Sequence, residues 1–298
     1  MSKLTTLIKS EYRIDATSKS FWLTTLLLPV FLFLLGGFIG YLGANSDAMQ
    51  SMSEHTPHPG DDITGMQVLG MLSGFMLFMF ITMYGSMIFQ KVKTEKTNRI
   101  VEILVSCVPG RTVMMAKVIT VGLLGLTQMA IWMAMFGAGF FVFYVLMPGV
   151  LPIADLLQWK ILAGLLIAFL YFVGGYCFYG SLFAMAGAFT DRNNENQGVL
   201  SCIMVCLMVS FYIGIFSVDN FGLLTQVAFY VPFTSPTTGP AQSIGGAAPW
   251  WSTLISLIIL YGSAYLTLVL AGKAYTSALL LKGKKLSVRD LVVFFRAK

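Results

Sequence analysis

Charge is scarce in this chain of 298 residues. Asp, Glu, Lys and Arg make up 11% of it, against about 25% in ordinary soluble domains. With 57% hydrophobic residues, the composition is that of an all-α integral membrane protein and leaves no soluble block to count as a separate domain. No G-x-x-x-x-G-K-[ST] phosphate loop occurs. The pairs Gly272-Lys273 and Gly283-Lys284 lack the Ser/Thr and the upstream glycine, so the chain is not expected to hydrolyse ATP or to be an enzyme. No H-E-x-x-H is present, and neither histidine lies in a long apolar run; an intramembrane metalloprotease is excluded. The cores of those runs hold no acid or base, which argues against a proton- or ion-coupled secondary carrier. The four cysteines, 107, 177, 202 and 206, lie in apolar runs or a basic loop, so no disulfide framework is implied. Cys202 and Cys206 stand four apart without a histidine or carboxylate beside them and read as buried thiols rather than half a metal site. No metal or cofactor is expected on this chain.

What is present is length and apolarity. Six runs, at roughly 21–42, 68–89, 118–147, 161–189, 198–218 and 250–272, each supply the ~20 residues that cross a bilayer. The first is too long for a signal-peptide core and has no convincing cleavage site, so it is kept as a span. Basic residues decide the orientation. Residues 1–20 hold 4, residues 90–117 hold 6, position 192 holds 1 and residues 273–298 hold 7, which is 18 of 19. The intervening loops 43–67, 148–160 and 219–249 hold only Lys160. The positive-inside bias places both termini and the loop at 90–117 in the cytoplasm of a multi-pass cell-membrane protein. The net charge of +6 therefore marks topology, and no nucleic-acid partner is expected.

Residues 1–20 form an interfacial helix with Leu4, Leu7, Ile8, Tyr12 and Ile14 on one side and Lys9 and Arg13 opposite. Glu11 and Asp15 fall inside its apolar arc; they either snorkel to water or pair with bases of the central loop. Loop 43–67 gathers Glu54, His55, His58, Asp61 and Asp62, but it is broken by proline and reads as an acidic loop rather than a metal site. Gly36/Gly40 and Gly70/Gly74 are small-xxx-small pairs that permit close helix packing. The polar stretch 190–197 reads as a turn between spans four and five. Loop 219–249 is largely apolar, lacks Lys and Arg, and sets Pro232, Pro236 and Pro240 at four-residue spacing. Proline cannot continue a helix, so the chain is expected to bend here. Its apolar part is too short to span. A re-entrant segment and an external loop folded on the bundle both satisfy this pattern; the re-entrant reading makes Tyr230, Pro232, Phe233, Pro236 and Pro240 a gate.

The stretch Lys91 to Lys117 is the one internal segment dense in charge. On a helix Glu95, Asn98, Arg99, Glu102 and Ser106 share a face, while Ile100, Ile103, Leu104 and Cys107 recur on the other; Pro109-Gly110 is expected to stop it. The run Glu95-Lys96-x-x-Arg99-x-x-Glu102-Ile103-Leu104, followed by Pro109 and Lys117, resembles the first cytoplasmic loop of ABC-2 type permeases, and among them the NatB-like branch. Ala116 stands where that branch usually has glycine.

The resemblance implies a single transmembrane domain over 1–298. It would comprise an elbow helix at 1–20, a coupling helix in 91–117 and the short P-F-T-S-P segment of 219–249 before the last of six spans. It further implies an exporter permease, working as a homodimer or heterodimer. A separate ATPase subunit would bind ATP and Mg and contact Glu95, Arg99, Ile100, Glu102, Ile103 and Leu104. Sodium, or an amphipathic drug, peptide or lipid, is the implied cargo. The alternative is a non-transporting membrane scaffold or sensor that recruits a cytoplasmic partner through the same helix.

Overall fold

The computed structural model describes residues 3–19, 21–27, 29–30, 65–97, 109–146, 159–190, 197–216, 222–244 and 248–280. Eight helices follow one another among these residues: α1 (Lys3–Ala16), α2 (Gly65–Thr97), α3 (Gly110–Leu146), α4 (Trp159–Phe189), α5 (Gln197–Phe216), α6 (Leu223–Tyr230), α7 (Ser235–Ile244) and α8 (Trp250–Leu280). Five are long and apolar enough to cross a membrane, through Ser73–Glu95, Thr112–Gly139, Ala163–Phe189, Gly198–Phe216 and Trp250–Thr276. These match the second to sixth expected runs. Most of the first run, at 31–42, lies outside the described residues.

Helix α4 is central: it packs against α2 and α8 along their lengths and also touches α7. The core is aromatic. Phe80, Tyr84, Phe172, Tyr176 and Tyr179 are buried, with Phe80 edge-on to Phe172 at 5.8 Å. Buried polar tips need partners, and each interhelical bond joins two elements. The Tyr84 hydroxyl donates to Gln128 Oε1, that of Tyr176 to the Val118 carbonyl at 2.8 Å, and the Trp132 indole to the Thr25 carbonyl at 2.9 Å.

The N-terminal helix packs on α3. Its covered residues are Leu4, Leu7, Ile8, Glu11, Tyr12, Asp15 and Ala16, a helical stripe centred on the two acids rather than merely tolerating them. Ile14, expected on that stripe, stands at its edge and is 70% exposed. The chain turns at Thr17 and Ser18. Ser18 Oγ accepts from the Phe21 amide at 3.2 Å, a side-chain cap for the helical residues 21–27.

Pro109-Gly110 opens α3. The Pro109 carbonyl accepts from the Thr112 amide at 2.8 Å, as proline at a helix start allows. The other end of the preceding stretch is also helical, since α2 runs without a break to Thr97.

Between α5 and α8 the chain makes two short helices joined by a turn at 231–234. The bend falls at Pro232, as expected. Pro236 and Pro240 do not add further bends: both lie inside α7. Pro236 occupies its first turn, where no amide bond is required, and Pro240 forgoes one bond within a helix held by its neighbours.

Candidate functional site

Two polar constructions stand out in an otherwise apolar bundle. The first lies where the N-terminus of α3 meets the C-termini of α2 and α8. Lys117 sits in the second turn of α3 and its side chain is 0% exposed. A buried ammonium is stable only if paired and hydrogen-bonded. Lys117 Nζ donates to Glu11 Oε1 of α1 at 3.2 Å and to Glu95 Oε1 at the end of α2. One turn away, Lys91 of α2 pairs with Asp15 of α1. Four residues separate Glu11 from Asp15 and Lys91 from Glu95. The pairing order 11 with 95 and 15 with 91 therefore sets the two helices antiparallel. Tyr275 of α8 is buried at this end of the bundle, with its ring against Gly110 of α3. Gly110 supplies the close approach: a Cβ there would come within 2.4 Å of Thr276 Oγ1.

The second construction is the hairpin of α6 and α7. Nine of the ten residues of α7 are buried, against α2, α4 and α5. Glycines make room for it. A Cβ at Gly70 would meet the Ala241 carbonyl oxygen at 2.8 Å, one at Gly74 the Thr237 oxygen at 3.0 Å, and one at Gly175 the Pro236 ring at 2.6 Å. The Gly70/Gly74 pair thus packs within this chain, on α7. Gly36/Gly40 lies outside the described residues.

The partners run in opposite order along α4: Pro236 meets Gly175, Gly239 meets Tyr171, and Ile244 meets Gly164. The tip of the hairpin reaches Tyr179, whose hydroxyl donates to the Phe233 carbonyl at 2.5 Å. Gly164 to Gly175 is eleven residues of helix, so α7 lies along about 16 Å of α4. Hydroxyls satisfy several of its backbone carbonyls and some of its small polar side chains, while Ser235 Oγ is buried without a partner. Ser210 and Thr237 share a bond of 2.5 Å, Ser256 donates to the Phe229 carbonyl at 2.6 Å, and the Tyr230 hydroxyl meets Ser252 Oγ at 2.7 Å. The Phe233 ring packs edge-on to Phe178 at 5.0 Å while 42% exposed.

Of the sequence-singled residues, Glu11, Asp15 and Glu95 come together, and so do Tyr230, Pro232, Phe233, Pro236 and Pro240. Glu95 belongs to α2, with its carboxylate turned onto Lys117. Arg99, Ile100, Glu102, Ile103 and Leu104 lie outside the described residues, as do His55 and His58. Sequence reasoning used Lys117 only as part of a motif and passed over Lys91 and Tyr275. The signal for Lys117 was a lone cation running directly into an apolar span.

Both constructions are polar devices inside an apolar helical bundle, and among the described residues no group of three or more His, Cys, Asp or Glu is placed to hold a metal. Residues 49–273 match the model of the family described as "ABC-2 family transporter protein". The chain belongs to the ABC-2 transporter family. It is a multi-pass membrane protein of that family, and the ABC-2 match takes in Lys91, Glu95, Lys117 and the whole hairpin. It leaves out α1, with Glu11 and Asp15, and Tyr275.

Two curated relatives are themselves uncharacterised. YhaP of Bacillus subtilis is 26% identical over 219 residues, 70% of this chain and 50% of the relative. MJ1024 of Methanocaldococcus jannaschii is 24% identical over 220 residues, 73% of this chain and 51% of the relative. This ABC-2 chain thus spans about half the length of the curated relatives it matches. No solved structure matches it.

Proposed function

We propose that the chain is the membrane-spanning permease subunit of an ATP-driven ABC exporter, with a separate ATPase docking on the segment at 98–108. The supporting observation is the cluster on Lys117. Glu95 and Lys117 flank that segment on either side and are bonded to each other, and Glu11 joins α1 to the same ammonium. A push on the segment bears at once on α1, α2 and α3. Ile100, Ile103 and Leu104 supply apolar contact to the ATPase, while Arg99 and Glu102 fix its register.

With 18 of 19 basic residues at this end or on its loops, the cluster faces the cytoplasm. The hairpin then enters from the outer side and returns to it, a re-entrant plug over the outer end of the path. Irregular backbone at membrane depth requires burial in protein of the kind that α2, α4 and α5 provide. Two such permeases, identical or related, form the dimer. The NatB-like motif at 95–117 favours sodium as cargo, and the neutral hydroxyl and amide groups of the bundle suit an amphipathic molecule as well.

The test is co-purification of an ABC-type ATPase with the tagged chain. Its turnover should change in the presence of the permease. Glu102→Arg places an unpaired charge in the contact and should weaken capture by about 2–5 kcal/mol, with insertion unaffected. Unchanged capture and transport in Glu102→Arg removes the docking assignment. A chain that recruits a partner without hydrolysis or transport is a scaffold instead.

A further inference from the structure

Ion pairing sorts the charges of α1 by face. The described residues hold three acids, Glu11, Asp15 and Glu95, and each is bound to Lys91 or Lys117. The two acids of α1 are therefore turned inward and already used. Its bases Lys9 and Arg13 are exposed on the other side, beside Thr6 and Ser10. No acid among the described residues is left to neutralise them. Four residues apart on a helix, their Cβ atoms are about 5–6 Å from each other. A helix of mixed charge in sequence thus presents a purely cationic outward face.

An apolar stripe follows that face along the chain. Glu11 meets Lys117, and the Thr25 carbonyl accepts from the Trp132 indole at 2.9 Å. Lys117 to Trp132 is fifteen residues of α3, about 22 Å, and Glu11 to Thr25 is fourteen residues of chain. The N-terminal chain therefore stands along α3 instead of lying flat on the membrane. Beyond the turn, Trp22, Leu23, Leu26, Leu27 and Val30 recur at helical spacing, each at least 45% exposed. Leu23 is ten residues past Arg13, about 15 Å of helical rise, which is the depth of one leaflet of a hydrocarbon core about 30 Å thick. Lys19, between the two, is exposed as well, and its long stem lets the ammonium reach toward water.

We propose that Lys9 and Arg13 bind the phosphate of an anionic phospholipid whose chains lie on the stripe from Trp22 to Val30. Arginine holds two phosphate oxygens in one plane, and lysine adds a point charge. The apolar stripe is what selects a lipid over an acidic peptide: a lipid covers both the bases and the stripe, whereas a peptide at the bases leaves the stripe bare. The basic residues of the chain put this end in the cytoplasmic leaflet, where anionic headgroups attract bases at the membrane surface. The two faces of α1 then have separate partners. Glu11 and Asp15 hold it to α3 and α2, while Lys9 and Arg13 hold it to the bilayer. A bound lipid secures α1 from outside, and with it the ion pairs on Lys91 and Lys117. The inference concerns lipid binding and does not rest on the transport reading.

The experiment titrates the purified full-length chain in detergent with phosphatidylglycerol and, separately, with phosphatidylcholine, and counts the retained lipids by native mass spectrometry. The parent should hold phosphatidylglycerol at concentrations where phosphatidylcholine is lost. Lys9→Gln and Arg13→Gln should each raise the half-saturating phosphatidylglycerol concentration about fivefold, and the double variant should bind the two lipids alike. Phosphatidylglycerol should also raise the Tm of the parent, as a ligand of the native state does, and not that of the double variant. Both bases are exposed, so circular dichroism of the variants should match the parent. Three results overturn the proposal. A double variant that keeps its preference gives the two bases to an acid elsewhere in this chain or in its partner. Lys273→Gln, which removes an exposed base of α8, weakening binding as much as Lys9→Gln makes the preference one of overall charge. Inorganic phosphate displacing phosphatidylglycerol at equal concentration makes this a site for free phosphate.

Discussion

Replacing Lys117 by methionine should be among the most damaging single changes available at this end of the bundle. The side chain is 0% exposed and serves two carboxylates on two helices. Methionine has nearly the same length and no charge. It leaves Glu11 and Glu95, whose side chains are only 21% and 32% exposed, facing each other without their shared counter-ion. Removing one member of a buried ion pair typically costs about 3–5 kcal/mol. At roughly 2–4 °C per kcal/mol for a chain of this size, Tm should fall by on the order of 10 °C. Part of that loss is repulsion between the stranded acids, so the triple variant Glu11→Gln, Glu95→Gln, Lys117→Met should recover most of it. Thermal unfolding in detergent, followed by the onset of aggregation and by circular dichroism, reads all three proteins. A Lys117→Met protein within 2–3 °C of the parent, a loss below about 1 kcal/mol, would show that water reaches the ammonium and would refute the reasoning.

Other parts of the structure give further expectations. Gly74→Val puts a branched side chain where even a Cβ lies 3.0 Å from the Thr237 oxygen; overpacking of this kind costs about 1–3 kcal/mol, and limited proteolysis should cut faster near 231–234. Phe233→Ala removes the ring that meets Phe178 and Tyr179 and should alter transport, or the substrate dependence of ATPase turnover, while leaving ATPase capture intact. In hydrogen exchange, the Val227 to Phe233 amides should be protected like those of a buried helix, and rapid exchange there would return the segment to an external loop. Cysteine-accessibility labelling of intact cells should mark a probe at Ser53 and none at Ser106 or Ser287, and external labelling at Ser287 would reverse the orientation drawn from the basic residues.

The long helices were legible because length and apolarity alone make a span, and no tertiary information is needed to see them. The bend at Pro232 was legible for a similar local reason. Pro236 and Pro240 misled, because a residue type says that an amide is missing but not whether the position needs one. The first turn of α7 does not, and the interior is braced by α2, α4 and α5. Glu11 and Asp15 showed in the sequence as acids inside an apolar arc, with two ways out. Choosing between them required knowing that Lys117 and Lys91 stand opposite, a matter of two helices separated by more than seventy residues. Tyr275 gave no signal at all, since a tyrosine near the end of an apolar run is as common at a membrane interface as in a buried site.

The order in which the cluster's members occur along the chain bears on biosynthesis. Glu11 and Glu95 both precede Lys117, the former by 106 residues. A ribosome delivers the acids before the base, so the lysine enters the bilayer region with both counter-ions already made and never waits for a partner still to be translated. Had the ammonium been on α1 and the acids on later helices, an uncompensated cation would have waited until those helices were made. Tyr275 comes last, at the end of the final span described, so its packing at the start of α3 is a contact that an incompletely translated chain cannot make.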